Sequence, residues 1–448
     1  MKSKKTLLIY VLLSLTVMGI GLVIYNHPPI LQKSITVENF GDVATAERMW
    51  NTKGLALVFV DTKKFPVINL GQQIAATGIS AAIIDSTQFF KGFNSQTGQC
   101  LDAKHIAAFI EILTKSFPKF TENRLIVTGI ADGAPIPFIN AQSASDATNL
   151  SIGFTVDLPN ELVLCPPFVS QYQNSKHRLV SFSILNGHWR AVWADQPAAE
   201  TGVFIRTLGN IDTRIAAYDT PLDTLLIEEL KAALGHVNQS LPSMPIIEIL
   251  ATRPSDNVTL FYSGDGGWRD LDRTVANEMA ALNYPVVGID VLRYFWKPKT
   301  PEQTATDLAS TMAYYREKWG TKTFVLAGYS FGADILPAVY NHLSTEDKDS
   351  VSLLVLLGLA KSADFEIHVS GWLGKSAGER PIAPELTQIP KNKILCIYGK
   401  EEKAETACTA LQNSEAKILE LPGGHHFDKN YPKLTRKILD IYQQHGIN

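Results

Sequence analysis

Residues 323–334 read TFVLAGYSFGAD, an apolar run followed by the pattern Gly-x-Ser-x-Gly at 328–332. In this pattern the serine occupies a sharp turn between a strand and a helix, and the two glycines are needed because a Cβ there would clash. The strained turn lifts the serine hydroxyl above the sheet, and the helix N-terminus favours a developing negative charge. The pattern therefore predicts an α/β fold with Ser330 as a nucleophile.

A serine nucleophile needs a base, and in this fold the chain order is serine, acid, histidine. Near the C-terminus, residues 421–428 read LPGGHHFD and follow the apolar run 417–421. A glycine-rich loop after the last strand is where the fold places its base. The arrangement Gly-His-x-Phe favours His425 over the adjacent His426, which would then support it from behind.

The acid should follow the preceding strand, 393–398 (KILCIY), which leads into a Gly-Lys-Glu-Glu segment at 399–402. Glu402 occupies the acid position, and a glutamate can fix the histidine tautomer and stabilise the imidazolium. Glu401 and Asp364 are the alternatives. A solvated run of surface charges is the non-catalytic interpretation of the same residues.

An oxyanion hole needs a further N–H from an early strand-to-helix loop. The strand 258–262 (VTLFY) runs into Ser-Gly-Asp-Gly-Gly-Trp at 263–268. Glycines let this backbone approach a reacting carbonyl, and the amides of Asp265 and Phe331 are the predicted donors. No Gly-Lys-Ser/Thr follows, so a phosphate-binding P-loop is excluded.

The chain contains an internal duplication. Residues 74–85 (IAATGISAAIID) align with 279–290 (MAALNYPVVGID), and residues 127–138 (VTGIADGAPIPF) align with 326–337 (LAGYSFGADILP). Strands alternating with helices indicate a parallel sheet with helices on both faces. We therefore predict two tandem α/β-hydrolase-like domains, Rossmann-like and three-layered, over residues 40–240 and 245–448, joined by a linker around 235–245.

The first of these domains is predicted to be degenerate. Its turn reads Gly-Ile-Ala-Asp-Gly at 129–133, so both glycines persist while Ala131 stands where the nucleophile would be. The stretch that corresponds to the histidine loop, AAYDTPLDTLL, contains no histidine. Such a domain keeps the turn but has no nucleophile or base.

The N-terminus predicts export. The apolar run Leu7–Tyr25 follows Lys2, Lys4 and Lys5, a basic flank that keeps the N-terminus in the cytoplasm and the rest outside. Residues 1–26 are expected to be an uncleaved anchor or, alternatively, a signal peptide. The rest of the chain is therefore expected outside the cytoplasm, tethered to the membrane by residues 7–25. In a chain of 448 residues, a net charge of −3 excludes a strongly basic nucleic-acid binder.

The four cysteines fit an oxidising compartment. None forms a Cys-x-x-Cys pair, so the sequence argues against a zinc site, and no metal or cofactor is expected. One disulfide in each half is allowed, Cys100 with Cys165 and Cys396 with Cys408, although free thiols are an equal alternative for the first pair. The second pair flanks the predicted acid loop and would fasten it to its strand.

Four stretches resemble the AcvB/VirJ family of bacterial virulence proteins: 263–272 (SGDGGWRDLD), 328–334 (GYSFGAD), 363–374 (ADFEIHVSGWLG) and 421–428 (LPGGHHFD). The resemblance covers about 245–448, and the duplicated first half resembles the longer, AcvB-like members. It implies a periplasm-facing serine hydrolase with Ser330 as nucleophile and His425 as base. The implied substrate is aminoacylated phosphatidylglycerol, from which lysine or alanine is removed, with a role in membrane lipid homeostasis and virulence.

The same resemblance leaves other functions open. A VirJ-like protein could instead be a periplasmic interaction protein of a type IV secretion system, and a general carboxylesterase or thioesterase is a third interpretation. The implied partners are the aminoacylated phospholipid, the inner-membrane surface and secretion-system proteins. For a lipid substrate, Asp265, Asp270 and Asp272 could attract the ammonium group, or they could be helix caps and surface charges.

Overall fold

The computed structural model describes residues 28–65, 67–97, 101–117, 124–143, 149–154, 169–173, 176–180, 188–207, 211–235, 244–253, 255–368 and 380–447. The predicted anchor, Cys100, Cys165, residues 236–243 of the linker and residues 369–374 of the family motif lie outside the described residues. Within the described ranges, no helix combines the length and apolar character needed to cross a membrane.

The described chain divides into two compact units. The first extends to Trp193 and also includes Glu200–Thr213 and Pro221–Val237. The second consists of Ala194–Ala199, Arg214–Thr220 and the chain from Asn238 onward.

The first unit is built on an eight-stranded sheet. The strands of this part of the chain are β1 Ile30–Val37, β2 Gly41–Arg48, β3 Leu55–Val60, β4 Ser80–Asp85, β5 Leu125–Ile130, β6 Asn149–Phe154, β7 Val169–Gln173, β8 Lys176–Val180, β9 His188–Trp193 and β10 Ile211–Ile215. The helices are α1 Val67–Ala76, α2 Ser86–Thr97, α3 Ala103–Lys115, α4 Pro135–Ser143, α5 Ala199–Thr207 and α6 Leu222–Ala233. The strand order is β1-β2-β4-β3-β5-β6-β9-β10, and β7 and β8 form a separate antiparallel pair.

The second unit is built on a seven-stranded sheet. Its strands are β11 Ile246–Ile249, β12 Asn257–Tyr262, β13 Val286–Ile289, β14 Thr323–Tyr329, β15 Val351–Leu357, β16 Ser362–Ala363, β17 Arg380–Pro381, β18 Ile394–Gly399 and β19 Lys417–Leu421. Its helices are α7 Asp270–Ala281, α8 Val291–Tyr294, α9 Pro301–Trp319, α10 Phe331–Asn341, α11 Thr345–Ser350, α12 Ala383–Thr387 and α13 Tyr431–Gln444. The strand order is β11-β13-β12-β14-β15-β18-β19, with β16 and β17 paired separately.

Both sheets are mixed rather than wholly parallel. The central strands pair in parallel, as predicted. However, β2 runs antiparallel to β4, and β11 runs antiparallel to β13. The prediction of a parallel sheet was therefore wrong at this edge, because the alternation of strands and helices carries no information about a strand that enters the sheet before the first crossover.

Helices lie on both faces of the second sheet, which gives three layers and confirms the predicted α/β class. On one face, α7 and α13 pack on the strands through a buried apolar cluster that includes Phe261, Val275, Val355 and Ile438. On the other face, α10 packs on β14 and β15. Central strands covered on both sides must be apolar along their whole length, and the buried runs of β14 and β15 have this composition.

Local sequence fixes the ends of the longest helix. Thr300 and Gln303 form a reciprocal capping box at the start of α9, Pro301 occupies its first turn, and Gly320 closes it with a φ of 69°. These are the residues that satisfy the free N–H groups at a helix start and permit a left-handed end.

A disulfide joins Cys396 of β18 to Cys408, and the Cα atoms are 5.7 Å apart. Cys408 lies in a short 3₁₀ helix, Ala407–Leu411, which follows the segment that carries Glu402. Thr406 fastens the same segment by donating its hydroxyl to the carbonyl of Leu359, at 2.8 Å. The prediction of this disulfide is confirmed, and both ends of the predicted acid segment are held.

Candidate active site

Ser330 lies at the turn between β14 and α10, with φ 52° and ψ −123°. A Cβ added at Gly328 would lie 2.4 Å from the carbonyl of Gly332, and one added at Gly332 would lie 2.4 Å from the carbonyl oxygen of Tyr262. Both distances are far below van der Waals contact, so only glycine allows the turn. The Ser330 amide donates to the carbonyl of Leu357 at 2.8 Å, which fixes the turn to the neighbouring strand.

His425 lies between Ser330 and Glu402. Its Nε2 is 2.8 Å from Oγ of Ser330, and its Nδ1 is 2.6 Å from Oε1 of Glu402. An imidazole protonated at Nδ1 donates to the glutamate and accepts the serine hydroxyl, so the three groups form one chain of hydrogen bonds. The His425 side chain is 38% exposed, which leaves it accessible to a substrate and to water.

The alternatives for the acid and the base lie elsewhere. Glu401 has its carboxylate against Gly424, where an added Cβ would lie 3.0 Å from Oε2. Asp364 pairs with His368 at 3.7 Å. His426 has its Nδ1 3.1 Å from the hydroxyl of Tyr329 and does not take the place of His425. Of the acidic and histidine candidates, only Glu402 and His425 are aligned with Ser330.

Tyr329, directly before the serine, contacts the loop that carries His425 and His426. Its hydroxyl lies 3.3 Å from the carbonyl oxygen of His425 and 3.1 Å from Nδ1 of His426. Its ring lies beside the His425 ring, with centroids 5.2 Å apart. Burial raises the pKa of Tyr329 far above its usual value, so the hydroxyl stays neutral and can donate.

The predicted oxyanion residues flank the serine. A Cβ added at Gly264 would lie 3.7 Å from the Cβ of Ser330, so the loop 263–268 passes next to the nucleophile with Asp265 directly after this contact. Phe331 is the first residue of α10, and its ring lies 5.2 Å from that of Phe295. Phe331 is therefore directly next to Ser330 in the chain, and Asp265 directly follows the glycine that approaches Ser330.

The other acids of the loop differ in exposure. Asp270 is 76% exposed at its side chain and lies 3.7 Å from Arg269. Asp272 is 3% exposed. The expectation that Asp272 could attract a cationic substrate group was wrong, because it takes part in the first turn of α7 with the loop folded over it. Among the described residues, no group of three or more His, Cys, Asp or Glu side chains could hold a metal ion.

Sequence reasoning missed three residues that shape the site. Tyr329 is the variable position of the turn motif, which signals nothing by itself. Asp334 accepts the amide of Ala360 at 2.7 Å and so ties α10 to the end of β15; burial raises the pKa of Asp334 well above its usual value. An acid inside the apolar run 332–340 was the signal available for it. Asp290 follows β13, and in the sequence it served only to align the two halves.

The second unit therefore has the α/β-hydrolase fold, with a serine, a histidine and a glutamate aligned at its nucleophile turn. Residues 256–445 match the family described as bacterial virulence protein (VirJ). The matched residues lie in the second unit, and the match agrees with the family resemblance of its motifs. No curated protein sequence matches the chain.

Several solved structures are similar to part of the chain. Est1E from Butyrivibrio proteoclasticus is 11% identical with a TM-score of 0.34, over 45% of this chain and 93% of that one. XC6422 from Xanthomonas campestris, an α/β serine hydrolase without a lid, is 14% identical with a TM-score of 0.31, over 46% and 97%. MenH from S. aureus is 14% identical with a TM-score of 0.33, over 46% and 99%.

Proposed function

We propose that the second unit is a serine hydrolase that cleaves the ester of aminoacylated phosphatidylglycerol through an acyl-enzyme. The observation that carries the proposal is the position of His425, within hydrogen-bond distance of both Ser330 and Glu402. A base that is itself oriented by a carboxylate is the arrangement that activates a serine. The lipid substrate comes from the resemblance of the four motifs and is the finer part of the proposal.

The reaction begins when Oγ of Ser330 attacks the carbonyl carbon of the aminoacyl ester. Nε2 of His425 takes the hydroxyl proton, and Glu402 stabilises the imidazolium that forms. The amides of Asp265 and Phe331 stabilise the negative charge on the carbonyl oxygen. When the tetrahedral intermediate collapses, the ester oxygen leaves with the proton from His425 and phosphatidylglycerol is released.

The second half of the reaction repeats these steps with water. His425 removes a proton from a water molecule, whose oxygen attacks the aminoacyl–Ser330 ester. Collapse of the second intermediate returns the proton to Oγ of Ser330 and releases the free amino acid. Lysine and alanine are the amino acids that the family resemblance implies.

We further propose that the protein works in the periplasm at the surface of the inner membrane. An apolar N-terminal segment over residues 7–25 would hold the site close to its lipid and raise the effective concentration of the substrate. The first unit, without a nucleophile at Ala131, would then serve binding rather than hydrolysis, and secretion-system proteins are the partners to test.

The experiment uses the full chain in mixed micelles that contain lysyl- or alanyl-phosphatidylglycerol, and it follows release of the free amino acid. We expect release by the wild type and none by Ser330→Ala. Short-chain p-nitrophenyl esters and an acyl thioester, tested in parallel, distinguish a general esterase or thioesterase. If the wild type releases no amino acid and the Ser330→Ala chain keeps the biological activity of the wild type, the protein is instead an interaction protein.

A further inference from the structure

Two buried carboxyl groups lie behind the loop 263–268, outside the Ser330–His425–Glu402 chain. Asp272 is in the first turn of α7 and is 3% exposed, and Asp290 directly follows β13 and is 2% exposed. Burial of a carboxyl group costs free energy unless hydrogen bonds compensate for the lost water. The partners of these two groups therefore indicate what they hold in place.

Both groups bond to the loop, one near each end. The carboxyl of Asp272 accepts the amide of Gly264. The carboxyl of Asp290 accepts the amide of Trp268, and also that of Arg293 at 3.2 Å. Between these two anchors the loop closes on itself, because the amide of Gly267 donates to the carbonyl of Gly264 at 3.1 Å.

Close packing makes the loop position sensitive to its anchors. Gly267 has a φ of 84°, and a Cβ added there would lie 3.2 Å from Oδ1 of Asp290. On the other side, a Cβ added at Gly264 would lie 3.3 Å from the ring of Tyr329. The loop is thus confined between the two acids and the nucleophile turn, and Asp265 lies between the anchored residues.

The pKa of Asp272 is shifted in the direction that suits its position behind the loop 263–268. Burial raises the pKa of Asp272 well above its usual value, and the nearby Asp290 and Asp270 raise it further. Oδ1 of Asp272 is buried without a hydrogen-bond partner. A raised pKa favours the neutral carboxylic acid, which accepts the Gly264 amide with less negative charge behind an oxyanion.

We propose that Asp272 and Asp290 are positioning residues that hold the loop 263–268 so that the Asp265 amide faces the oxygen of the substrate carbonyl. The inference rests on the proposed hydrolase function. An oxyanion donor must lie within about 2.7–3.1 Å of the oxygen as its charge develops, and loss of one donor costs roughly 10²–10³ in kcat. A displaced loop therefore affects the transition state more than substrate binding.

The test compares Asp272→Asn, Asp272→Ala and Asp290→Ala in the full chain, with Asp256→Ala as the control. Asp256 is 62% exposed and pairs with Lys322 away from the loop. The readouts are kcat and KM on a p-nitrophenyl ester, and the rate at which a fluorophosphonate labels Ser330. Hydrogen exchange of the Gly264 and Trp268 amides reports the anchoring without substrate.

We expect Asp272→Ala and Asp290→Ala to lower kcat and the labelling rate by about tenfold to a hundredfold, with KM within about twofold of the wild type. Asp272→Asn keeps a neutral carbonyl acceptor and should stay within about threefold. The same two alanine variants should lose exchange protection at Gly264 or Trp268. The control should match the wild type in every measurement.

Two results overturn the inference in different ways. If the wild type hydrolyses no ester and is not labelled, the proposed hydrolase function fails and this inference fails with it. If the wild type reacts and both alanine variants react at the same rate, or if only KM rises, the hydrolase function stands and the positioning role is wrong. Loss of activity in Asp272→Asn equal to that in Asp272→Ala would also overturn it.

Discussion

The two units contain the same turn, and at the turn of the second unit a serine is aligned with a histidine and a glutamate. Ala131 in the first unit has a φ of 50°, and Ser330 in the second has a φ of 52°. A Cβ added at Gly129 or Gly133 would lie 2.0 or 2.2 Å from a backbone oxygen, as tight as at the two glycines around Ser330. The strained backbone is therefore kept where no nucleophile needs it, so the packing of strand and helix is enough to require it.

The strand order extends this comparison to the whole unit. From β2 onward, the first sheet has the order β2-β4-β3-β5-β6-β9-β10, and the second has β11-β13-β12-β14-β15-β18-β19. The two orders are the same when the strands are numbered within each unit, and the antiparallel strand lies at the same edge. The units therefore share the order of seven strands, so the side chains at their two turns can be compared and exchanged one at a time.

The largest effect is expected when the second turn is made like the first. Ser330→Ala should lower release of the amino acid by at least about 10³-fold, since loss of the nucleophile removes the acyl-enzyme route. His425→Ala should cost as much, and the double variant little more, because the groups act as a unit. The measurement is the initial rate on aminoacylated phosphatidylglycerol.

The reverse exchange is the control. Ala131→Ser should add no activity to a Ser330→Ala chain, because the stretch after β10 that corresponds to the histidine loop, residues 216–226, contains no histidine. Full activity in Ser330→Ala alone would refute the mechanism, whereas activity lost in His426→Ala and kept in His425→Ala would reassign the base.

A smaller effect is expected at the acid. The rate of Glu402→Gln should be about 10- to 100-fold higher than that of Ser330→Ala. The serine and histidine still react, although no carboxylate fixes the tautomer of the histidine. Glu401→Gln is the matched control and should remain within about twofold of the wild type. Equal losses in the two glutamine variants would show that the loop, and not the Glu402 carboxylate, orients the histidine.

The two adjacent glutamates show how much of the candidate site can be predicted from the sequence. Ser330 could be predicted because its turn depends on local backbone geometry that the neighbouring glycines encode. Glu402 and Glu401 are consecutive in a 3₁₀ turn, so their directions depend on the fold of the loop and not on a pattern. The sequence supports a choice of Glu402 only through the position expected after a strand.

The same limit explains the larger miss. Asp272 was predicted either to attract an ammonium group or to be a helix cap or surface charge, and its 3% exposure contradicts an accessible role. Its burial arises from the loop 263–268 and the neighbouring Asp290, which come together only in the folded sheet. The antiparallel edge strand β11 was missed for a similar reason, since its four residues pair with a strand that follows much later in the chain.

Asp85 at the end of β4 and Asp290 after β13 are expected to contribute to stability with opposite pH dependence. Burial raises the pKa of Asp290 from 3.8 to about 6, in spite of the opposing Arg293. Burial also acts to raise that of Asp85, but hydrogen bonds from Thr62 and Gln88 outweigh it and leave the pKa lowered. Asp290 thus contributes stability below about pH 4 that is lost as the pH rises to about 6, and Asp85 contributes stability at neutral pH that is lost on acidification.

Stability at pH 4 and pH 7 checks this difference. Relative to the wild type, Asp290→Asn should gain roughly 2 kcal/mol of unfolding free energy between pH 4 and pH 7. Asp85→Asn should change in the opposite direction, and mainly when the pH is lowered further, below about 4. Urea unfolding gives the free energies, and exchange of amides in β4 and β13 separates the two units. A shift of the same sign in both variants would contradict the prediction.

The smallest effect is expected from relieving the turn in the first unit. A non-glycine residue at positive φ costs about 1 kcal/mol, and the extra freedom of glycine in the unfolded chain returns about half of this. Ala131→Gly should therefore stabilise the first unit by less than about 1 kcal/mol, as measured by urea unfolding. Destabilisation by more than about 1 kcal/mol would indicate that the alanine methyl group packs usefully.

The disulfide between Cys396 and Cys408 determines when, after synthesis of the chain, the segment that carries Glu402 is crosslinked. If the chain is exported as proposed, both sulfurs are thiols beforehand in the reducing cytosol, and the segment that carries Glu402 then lacks a crosslink worth about 3 kcal/mol for a loop of this length. Ser330 and His425 lie outside the bridged segment. A newly made chain would thus acquire its nucleophile and base by folding but its firmly held acid only by oxidation, and material produced in a reducing host should be compared with material oxidised after purification.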